Sequence, residues 1–361
     1  MGGLELTAYL VNFALLFGWA ALFLWRSPDR QNRKLFCVLA SLQWIALSGL
    51  RHVSVGADTF AYKLQFERIL TTSWREVLGS AWGTYFGPLD LKDPGYAVFV
   101  KVLQVVTSDY QLYLVLIAMI FTIPLGVFIY RYSADPLLSF LIYSSLFYSF
   151  FAITGIRQTV ATALVVFIGY RFIEQRRLVP FLLTVLLAFT LHKSSAVFLL
   201  FYPLAAIRLS TWGTLALLSG AVVAFVYRLE LMEVLGIVSG YEQYSGQFEG
   251  AGAWVFLAML LVVIALTLLR LKGLSREQSH VNASYNALLL ALVFTPLVFV
   301  DPNAMRVVQY FSLFSMILVP SVIRSFRDPN ERALVSLVAA SLLIFLFARS
   351  NPQYLFFWQG L

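Results

Sequence analysis

The chain has 361 residues, of which 60% are hydrophobic and 12% are charged. Soluble domains carry about 25% charged residues, so this composition excludes a soluble globular protein and indicates a protein surrounded by lipid. The formal net charge of +8 raises nucleic acid as a partner, but the distribution of the charges argues against it below. Cys37 is the single cysteine, which excludes a disulfide framework and a cysteine-rich metal site.

Twelve apolar runs follow one another along the chain and predict about 12 transmembrane helices, because each span needs about 20 residues. They cover residues 4–25, 35–50, 110–130, 137–152, 158–173, 178–191, 195–208, 212–228, 253–269, 283–300, 305–323 and 333–348. The first run lacks a preceding basic region and is predicted to be a span, not a cleaved signal peptide. Runs 137–152 and 195–208 are too short to cross about 30 Å of hydrocarbon upright, and 178–191 with 195–208 could form a re-entrant pair. We expect an all-α integral membrane protein with one polytopic domain over residues 1–361.

Residues 51–107 are expected to form a periplasmic loop with amphipathic and re-entrant helices. In FAYKLQFERIL, Tyr62, Phe66, Ile69 and Leu70 recur at helical spacing. This pattern predicts an amphipathic helix that lies on the membrane surface.

The positive-inside rule, which counts Lys and Arg in short loops, sets the orientation of such a protein. With the amino terminus outside, 15 of the 26 basic residues fall in cytoplasmic loops: Arg26, Arg30, Arg33, Lys34, Arg131, Arg171, Arg176, Arg177, Arg208, Arg270, Lys272, Arg276, Arg324, Arg327 and Arg332. This count requires that residues 95–107 do not cross the bilayer alone, and Lys101 in their middle favours an interfacial or re-entrant helix. The basic excess is therefore a topology signal, and no nucleic-acid partner is expected.

The apolar runs are almost free of Asp, Glu, Lys and Arg away from their ends. Proton- and sodium-coupled transporters place ionisable groups near the bilayer midplane, so the sequence argues against that class. The polar residues that could carry chemistry cluster instead at the outer ends of helices, in five regions: Arg51, His52, Asp58, Thr59 and Tyr62; Asp93; Arg157 and Gln158; His192 and Lys193; Arg306 and Tyr310. We predict that they form one site at the water–lipid boundary, suited to a substrate with an anionic head and a lipid tail.

Two arginines are candidates for phosphate binding. Arg157, in FAITGIRQTVATAL, directly precedes an apolar helix, where its guanidinium fork and the unpaired N–H groups of the helix start would bind phosphate oxygens. Arg306, in DPNAMRVVQYF, allows the same interpretation. For both, the alternative is an interfacial arginine that extends to the lipid headgroups.

His192 and Lys193 interrupt a long apolar stretch in AFTLHKSSAVF. The imidazole could accept a proton from a sugar hydroxyl as a general base, and the neighbouring ammonium could hold phosphate. The alternative is a polar turn between two short helices.

Two aspartates complete the set of candidates. Asp58 could orient an acceptor hydroxyl or act as the base itself, and its alternative role is to cap the amphipathic helix. Asp93 has an alternative role in the turn that Asp-Pro-Gly predicts. The sequence contains no motif for a metal or nucleotide site on a soluble domain, so neither a metal nor another cofactor is expected.

Five segments occur in the order LRHVSVGADTFAY, KDPGYAVF, GIRQTVATAL, LHKSSAVFLL and MRVVQYFSLFSMILVP. In this order and spacing, the chain resembles the EpsG family, whose members belong to exopolysaccharide and O-antigen clusters and are similar to Wzy-type polymerases. The resemblance covers residues 45–325. It departs from the family pattern at GADT and in the stretch 71–92, which has the character of an insertion.

The resemblance implies a metal-independent glycosyltransferase of the bacterial inner membrane, with helices arranged as in the GT-C enzymes. Donor and acceptor would both be oligosaccharides linked to polyprenyl pyrophosphate, such as undecaprenyl pyrophosphate, at the periplasmic face. Arg157, Arg306 and Lys193 would hold the donor pyrophosphate, and His192 or Asp58 would deprotonate the acceptor hydroxyl. Gln158, Thr59 and Tyr310 would orient the sugar.

Other partners implied are the lipid bilayer and a protein that regulates chain length. Two further function classes remain open, a polysaccharide O-acyltransferase and a flippase for lipid-linked oligosaccharides. An acyltransferase would need a centre reachable from the cytosol, whereas His192 is predicted outside. A flippase would need a central polar cavity and two pseudo-symmetric halves, and the charge-free spans argue against it.

Overall fold

The computed structural model describes residues 7–25, 29–89, 91–208, 211–239, 251–277, 279–350 and 353–359. Arg26 and the first residues of run 4–25 lie outside these ranges. The described chain is all-helical and has no strands, with a single isolated bridge between Arg51 and Phe356 among its described residues. The prediction of an all-α protein is confirmed.

The helices are, in chain order, α1 (Thr7–Phe23), α2 (Arg30–Gly49), α3 (Thr59–Thr71), α4 (Trp74–Phe86), α5 (Pro94–Leu103), α6 (Tyr110–Tyr132), α7 (Pro136–Ile142), α8 (Ile156–Thr162), α9 (Tyr170–Glu174), α10 (Leu178–Leu191), α11 (Phe201–Leu204), α12 (Thr211–Val226), α13 (Arg228–Ser239), α14 (Ala251–Glu277), α15 (Ser279–Val298), α16 (Met305–Ser312), α17 (Ser315–Arg324) and α18 (Pro329–Ser350). Stretches of π-helix cover Tyr143–Phe147, Ser149–Thr154 and Ala163–Gly169, and 3-10 helices cover Lys193–Leu200 and Pro302–Ala304.

All twelve apolar runs fall on helices, but only some of these helices are long enough to cross a membrane. Within the described residues, five pass on length and hydropathy, or six if one pair bent by 50° is counted as a single broken span. The five are Tyr110–Tyr132, Ile156–Glu174, Ala253–Arg270, His280–Val298 and Pro329–Ala348, and the bent pair is Pro302–Ser312 with Ser315–Arg324. Helix α10 has 14 residues and is about 21 Å long, short of the hydrocarbon thickness. Twelve complete spans and a GT-C arrangement therefore remain predictions.

The loop 51–107 contains three helices. Helix α3 forms where the amphipathic pattern predicts it, with Phe66 and Ile69 buried. Helix α5 has ten residues, a length of about 15 Å, and so cannot cross a bilayer alone. Helix α4 lies in the stretch 71–92 and was not predicted, although Ser73 and Glu76 form a capping box at its start whose S-x-x-E signature is visible in the sequence.

The chain forms two compact units, Met1–Ala196 with Leu337–Leu361 and Val197–Ser336. In the first unit, α2 and α6 pack as an antiparallel pair. At one end of the pair, the side-chain amide of Gln111 donates to the carbonyls of Gly49 and Arg51. At the other end, the Arg33 guanidinium donates to the carbonyls of Tyr130 and Ser133.

The second of these ends is the basic end of the first unit. Arg30 donates to the Tyr130 hydroxyl at 3.2 Å, and the Tyr132 hydroxyl donates to the Glu174 carboxylate at 2.7 Å. Arg30, Arg33, Tyr130, Tyr132 and Glu174 therefore lie close together at this end. Next to them in the sequence are the basic residues Lys34, Arg131, Arg171, Arg176 and Arg177. Basic residues predicted to share one side of the membrane lie at one end of this unit.

The second unit is organised around α15, which packs against α12, α14 and α16. Asn282 and Asn286 donate their side-chain amides to the carbonyls of Leu204 and Ile207, at and just beyond the end of α11. These bonds satisfy carbonyl groups that a helix end leaves without an intrahelical donor.

The close contact between α2 and α6 can be tested at Gly49. A Cβ atom there would lie 2.8 Å from the Cα of Val115, so Gly49→Ala must push the two backbones apart. We expect a loss of about 1–3 kcal/mol of stability, typical of an overpacked core, measured as a lower thermal midpoint in detergent. Gly18→Ala in α1 is the matched control, because no atom lies within 4 Å of its added Cβ. Equal midpoints for the two variants would contradict the close packing.

Candidate functional site

Asp93 stands at the start of α5 and is held against the end of α10. Its backbone is left-handed, with φ 51° and ψ 56°, a conformation that Asp tolerates better than most residues. A Cβ atom on Gly95 would lie 2.5 Å from the Thr190 carbonyl oxygen, so a side chain there would force the two helices apart. The Asp-Pro-Gly turn therefore forms as predicted, and it brings Asp93 to the break that follows α10.

The Asp93 carboxylate is fully buried and binds three donors. Oδ2 lies 3.3 Å from Nδ1 of His192 and 3.4 Å from Nη1 of Arg157. Oδ1 accepts the backbone N–H of Lys193 at 3.2 Å. We call Asp93, Arg157, His192 and Lys193 the Asp93 cluster.

Two opposing effects act on the pKa of Asp93. Burial raises it, but the hydrogen bond and charge of His192, the Lys193 N–H and the Arg157 guanidinium together lower it below the ordinary value. The carboxylate is therefore ionised at neutral pH and provides the anion that these donors need.

Arg157 is fixed on several sides and open on one. Its Nη2 donates to the Gln65 side-chain oxygen at 3.3 Å, and its guanidinium lies 5.3 Å and 5.9 Å from the ring centres of Tyr96 and Tyr62. These contacts combine an ion pair with cation–π attraction. The side chain retains 21% of its exposure, so an anion could still reach a guanidinium that is already oriented.

His192 and Lys193 occupy the break between α10 and the 3-10 helix that begins at Lys193. His192 has an extended backbone, with φ −160° and ψ 111°, and its side chain is buried against Asp93. Lys193 is half-buried, and its ammonium has no carboxylate within 4.0 Å in the part of the chain that the structure describes. The polar turn considered for these two residues does form, and it is bonded to a carboxylate from another helix.

The predicted residues of α3 differ in their surroundings. The Thr59 hydroxyl is buried within hydrogen-bond distance of the carbonyls of Val55 and Ile153, so it fastens α3 to the segment before Arg157. Asp58 is exposed at the N-cap position, directly before α3, and makes no side-chain capping bond. It therefore lies at the start of the helix whose Tyr62 contacts Arg157.

Arg51 and His52 are held by the carboxy-terminal segment. Arg51 is 1% exposed and donates to the Ser48 carbonyl; it makes no hydrogen bond or ion pair with the Asp93 cluster. The His52 N–H donates to the Leu355 carbonyl at 2.7 Å, and its Nδ1 lies 2.8 Å from the Ser54 hydroxyl oxygen.

The remaining predicted residues are Gln158, Arg306 and Tyr310. Gln158 is buried beside Arg157 in α8. Arg306 and Tyr310 lie one turn apart on α16 of the second unit, with Tyr310 fully buried. Their participation in one site with the Asp93 cluster stays a prediction.

Two residues of the site were not predicted. Gln65, on α3, binds Arg157. The sequence offers one indication of this role: Gln65 is a polar residue three positions after Tyr62 and therefore lies next to it on the helix surface. Tyr96 contributes a ring to Arg157 and shares a 2.6 Å hydrogen bond with the Tyr113 hydroxyl. In DPGYAVF it has the character of an ordinary apolar-helix residue. The described residues contain no group of three or more His, Cys, Asp or Glu that could hold a metal ion.

A model of the EpsG family matches residues 34–356, nearly the whole chain. The chain belongs to the EpsG family. The resemblance predicted over residues 45–325 is thereby confirmed, and the family suggests a membrane protein of the polysaccharide polymerase type. No curated protein and no solved structure matches this EpsG family member significantly.

The hydrogen bonds of Asp93 can be tested by Asp93→Asn. The amide removes the charge and one acceptor, so we expect a loss of about 1.5–3 kcal/mol, the range for hydrogen bonds to charged groups. Thermal unfolding in detergent measures the loss. Asp58→Asn is the matched control, because its exposed carboxylate makes no capping bond and surface substitutions change stability by about 0.5 kcal/mol or less. Equal losses in both variants would contradict the pairing.

The pH dependence of this difference follows from the lowered pKa of Asp93. A carboxylate whose pKa is lower in the folded state stabilises above its unfolded pKa of about 3.9 and loses that contribution as the pH falls through its folded pKa. The stability gap between the natural protein and Asp93→Asn should therefore persist at pH 5 and shrink on acidification below about pH 4. A gap that already closes above pH 5 on acidification would contradict the lowered pKa of Asp93.

Proposed function

We propose that this protein joins oligosaccharide repeat units carried on polyprenyl pyrophosphate into an O-antigen or exopolysaccharide. The reaction takes place at the periplasmic face of the bacterial inner membrane. Membership of the EpsG family supports the polymerase class. The chemistry of the Asp93 cluster supports an anionic, lipid-linked substrate.

The observation that carries this proposal is the partly exposed Arg157, oriented by a buried carboxylate, an amide and two tyrosine rings. The contacts already order this guanidinium before a substrate binds. Its remaining N–H groups can therefore bind phosphate oxygens with little further loss of side-chain entropy. Lys193, whose backbone N–H binds Asp93, adds a second cationic side chain to the cluster. With one carboxylate, one guanidinium and one ammonium, the cluster carries a net positive charge even with a neutral His192.

The position of the cluster supports the outer face. Arg157 lies at the start of the span Ile156–Glu174, and Glu174 lies at the basic end of the first unit. The Asp93 cluster is therefore at the opposite end. If the basic end faces the cytoplasm, as the positive-inside rule requires, the cluster faces the periplasm.

In the proposed reaction, a hydroxyl oxygen of the acceptor sugar attacks the anomeric carbon of the donor glycan. The bond between that carbon and the pyrophosphate oxygen breaks, and polyprenyl pyrophosphate leaves with the electron pair. Arg157 and Lys193 stabilise the charge that develops on it, with Arg306 as the further candidate. The residues that border or orient the sugars are Tyr62, Thr59, Gln158 and Tyr310.

The acceptor proton passes to His192 or Asp58. His192 has a carboxylate at Nδ1, an arrangement that fixes the ring and stabilises the imidazolium formed when Nε2 takes a proton. Asp58 is exposed and free of a capping bond. The paired carboxylate favours His192 as the base, with Asp93 as its positioning residue.

The proposal is tested by incubating the purified protein with a lipid-pyrophosphate oligosaccharide and resolving the products by size. The natural protein should make multimers. Arg157→Ala should slow their formation by about 10²–10³-fold, the cost of removing one donor to a developing charge. Arg157→Lys should be intermediate, because it keeps the charge but loses the planar fork. Lys63→Ala, an exposed cation of α3 paired with Glu67, is the control and should retain activity.

Removing the base should slow the reaction by about 10²–10⁴-fold. If His192 is the base, His192→Ala should abolish the acidic limb of the pH–rate profile and Asp58→Asn should keep it. The reverse result would assign the base to Asp58. Unchanged chain growth in both Arg157→Ala and His192→Ala, at normal expression, would refute the assignment of the site.

Glycan ladders from cells separate the polymerase from the two other classes. Loss of a polymerase leaves single repeats on their acceptor, and loss of a flippase leaves no repeats outside. Loss of an O-acyltransferase leaves ladders of full length. We expect single repeats when the gene is deleted.

A further inference from the structure

Helix α4 carries large apolar side chains on its outer surface. Trp74, Leu78, Trp82 and Phe86 recur every four residues and so form a continuous stripe along the helix. Their exposure ranges from 42% to 73%. The rings of Trp82 and Phe86 lie 4.4 Å apart between centres. We call these four residues the aromatic stripe.

The other side of α4 packs against the segments that carry the Asp93 cluster. Val77 and Ala81 are buried, and α4 packs against α5, which begins directly after Asp93. The Tyr85 hydroxyl donates to the Thr190 carbonyl at 3.2 Å, two residues before His192. The depth at which α4 lies in a membrane would therefore fix the depth of the cluster in that membrane.

Lipid is the occupant that fits the stripe. Trp and Tyr concentrate at the boundary between headgroups and acyl chains, and α4 supplies two Trp and one Tyr. Its 13 residues reach only about 20 Å, too short to span a bilayer. Helix α3, which precedes α4 in the chain, also exposes Phe60 and Leu64, so two consecutive helices of this segment expose large apolar side chains.

Helical spacing places Glu76 and Ser80 on the side of α4 that faces away from the stripe. Glu76 is exposed and Ser80 is half-buried. A helix with an apolar face, a charged flank and a buried third side that is anchored to the protein is typical of a segment lying in the plane of a membrane interface.

We infer that α4 is an interfacial anchor whose aromatic stripe lies in the outer boundary of the surrounding phospholipid bilayer. It holds the Asp93 cluster at the level of the lipid phosphates. The position of α4 is independent of the reaction. Its consequence for catalysis rests on the proposed function, because a lipid-linked pyrophosphate lies at that same level.

The test measures the depth of α4 by spin labelling. The single cysteine, Cys37, is buried, so an introduced cysteine is the reactive one, and labelling of the unsubstituted protein gives the background. Leu78→Cys and Trp82→Cys probe the stripe, and Glu76→Cys and Ser80→Cys are matched controls on the opposite, polar side of the helix. Each full-length variant carries a nitroxide in vesicles of phosphatidylcholine and phosphatidylglycerol. Its accessibility to oxygen, which partitions into lipid, is compared with its accessibility to a water-soluble nickel chelate.

We expect oxygen accessibility to exceed nickel accessibility at positions 78 and 82 and the sign of their logarithmic ratio to reverse at positions 76 and 80. The same sign at all four positions, or greater nickel accessibility on the stripe, would overturn the inference. Low accessibility of the stripe to both reagents would also overturn it, because protein would then cover the stripe. No glycan substrate is used, so a negative result here is distinct from a failure of polymerisation.

Discussion

The buried carboxylate of Asp93 is the group on which the arrangement of the candidate site depends. An anion removed from water is costly unless charged or polar donors replace its hydration. Here the donors come from two other parts of the chain, α8 and the break after α10. Three segments distant in sequence are thus tied together at one point, and Arg157 and His192 share that one acceptor.

The scaffold places this point at a defined end of the first unit. Basic residues lie at one end of the antiparallel pair α2 and α6, and α3 and α8 begin near its other end. The span Ile156–Glu174 runs between the two ends, with Arg157 at one and Glu174 at the other. The Asp93 cluster is therefore kept apart from the basic residues that the positive-inside rule uses, as the proposed external site requires.

Several features of the site were accessible from local sequence. Arg157, His192 and Asp93 stood out because charged residues at the ends of apolar runs are rare and costly. The Asp-Pro-Gly turn was also visible. The role of Asp93 as the acceptor for Arg157 and His192 was not visible, because these two residues lie 64 and 99 positions away from it in the chain. Gln65 and Tyr96 were missed for the same reason.

Composition and periodicity by themselves determined that this protein is helical and embedded in lipid, since a chain with so few charges cannot be solvated by water. Five sequence segments in order carried the resemblance to the family, and the placement of basic residues predicted which loops share a side. Tertiary structure alone decided where each helix begins and ends, and that α4 turns its aromatic side outward. It also decided which of the candidate polar residues touch. These outcomes depend on contacts between distant segments, and no local pattern specifies the energy of such contacts.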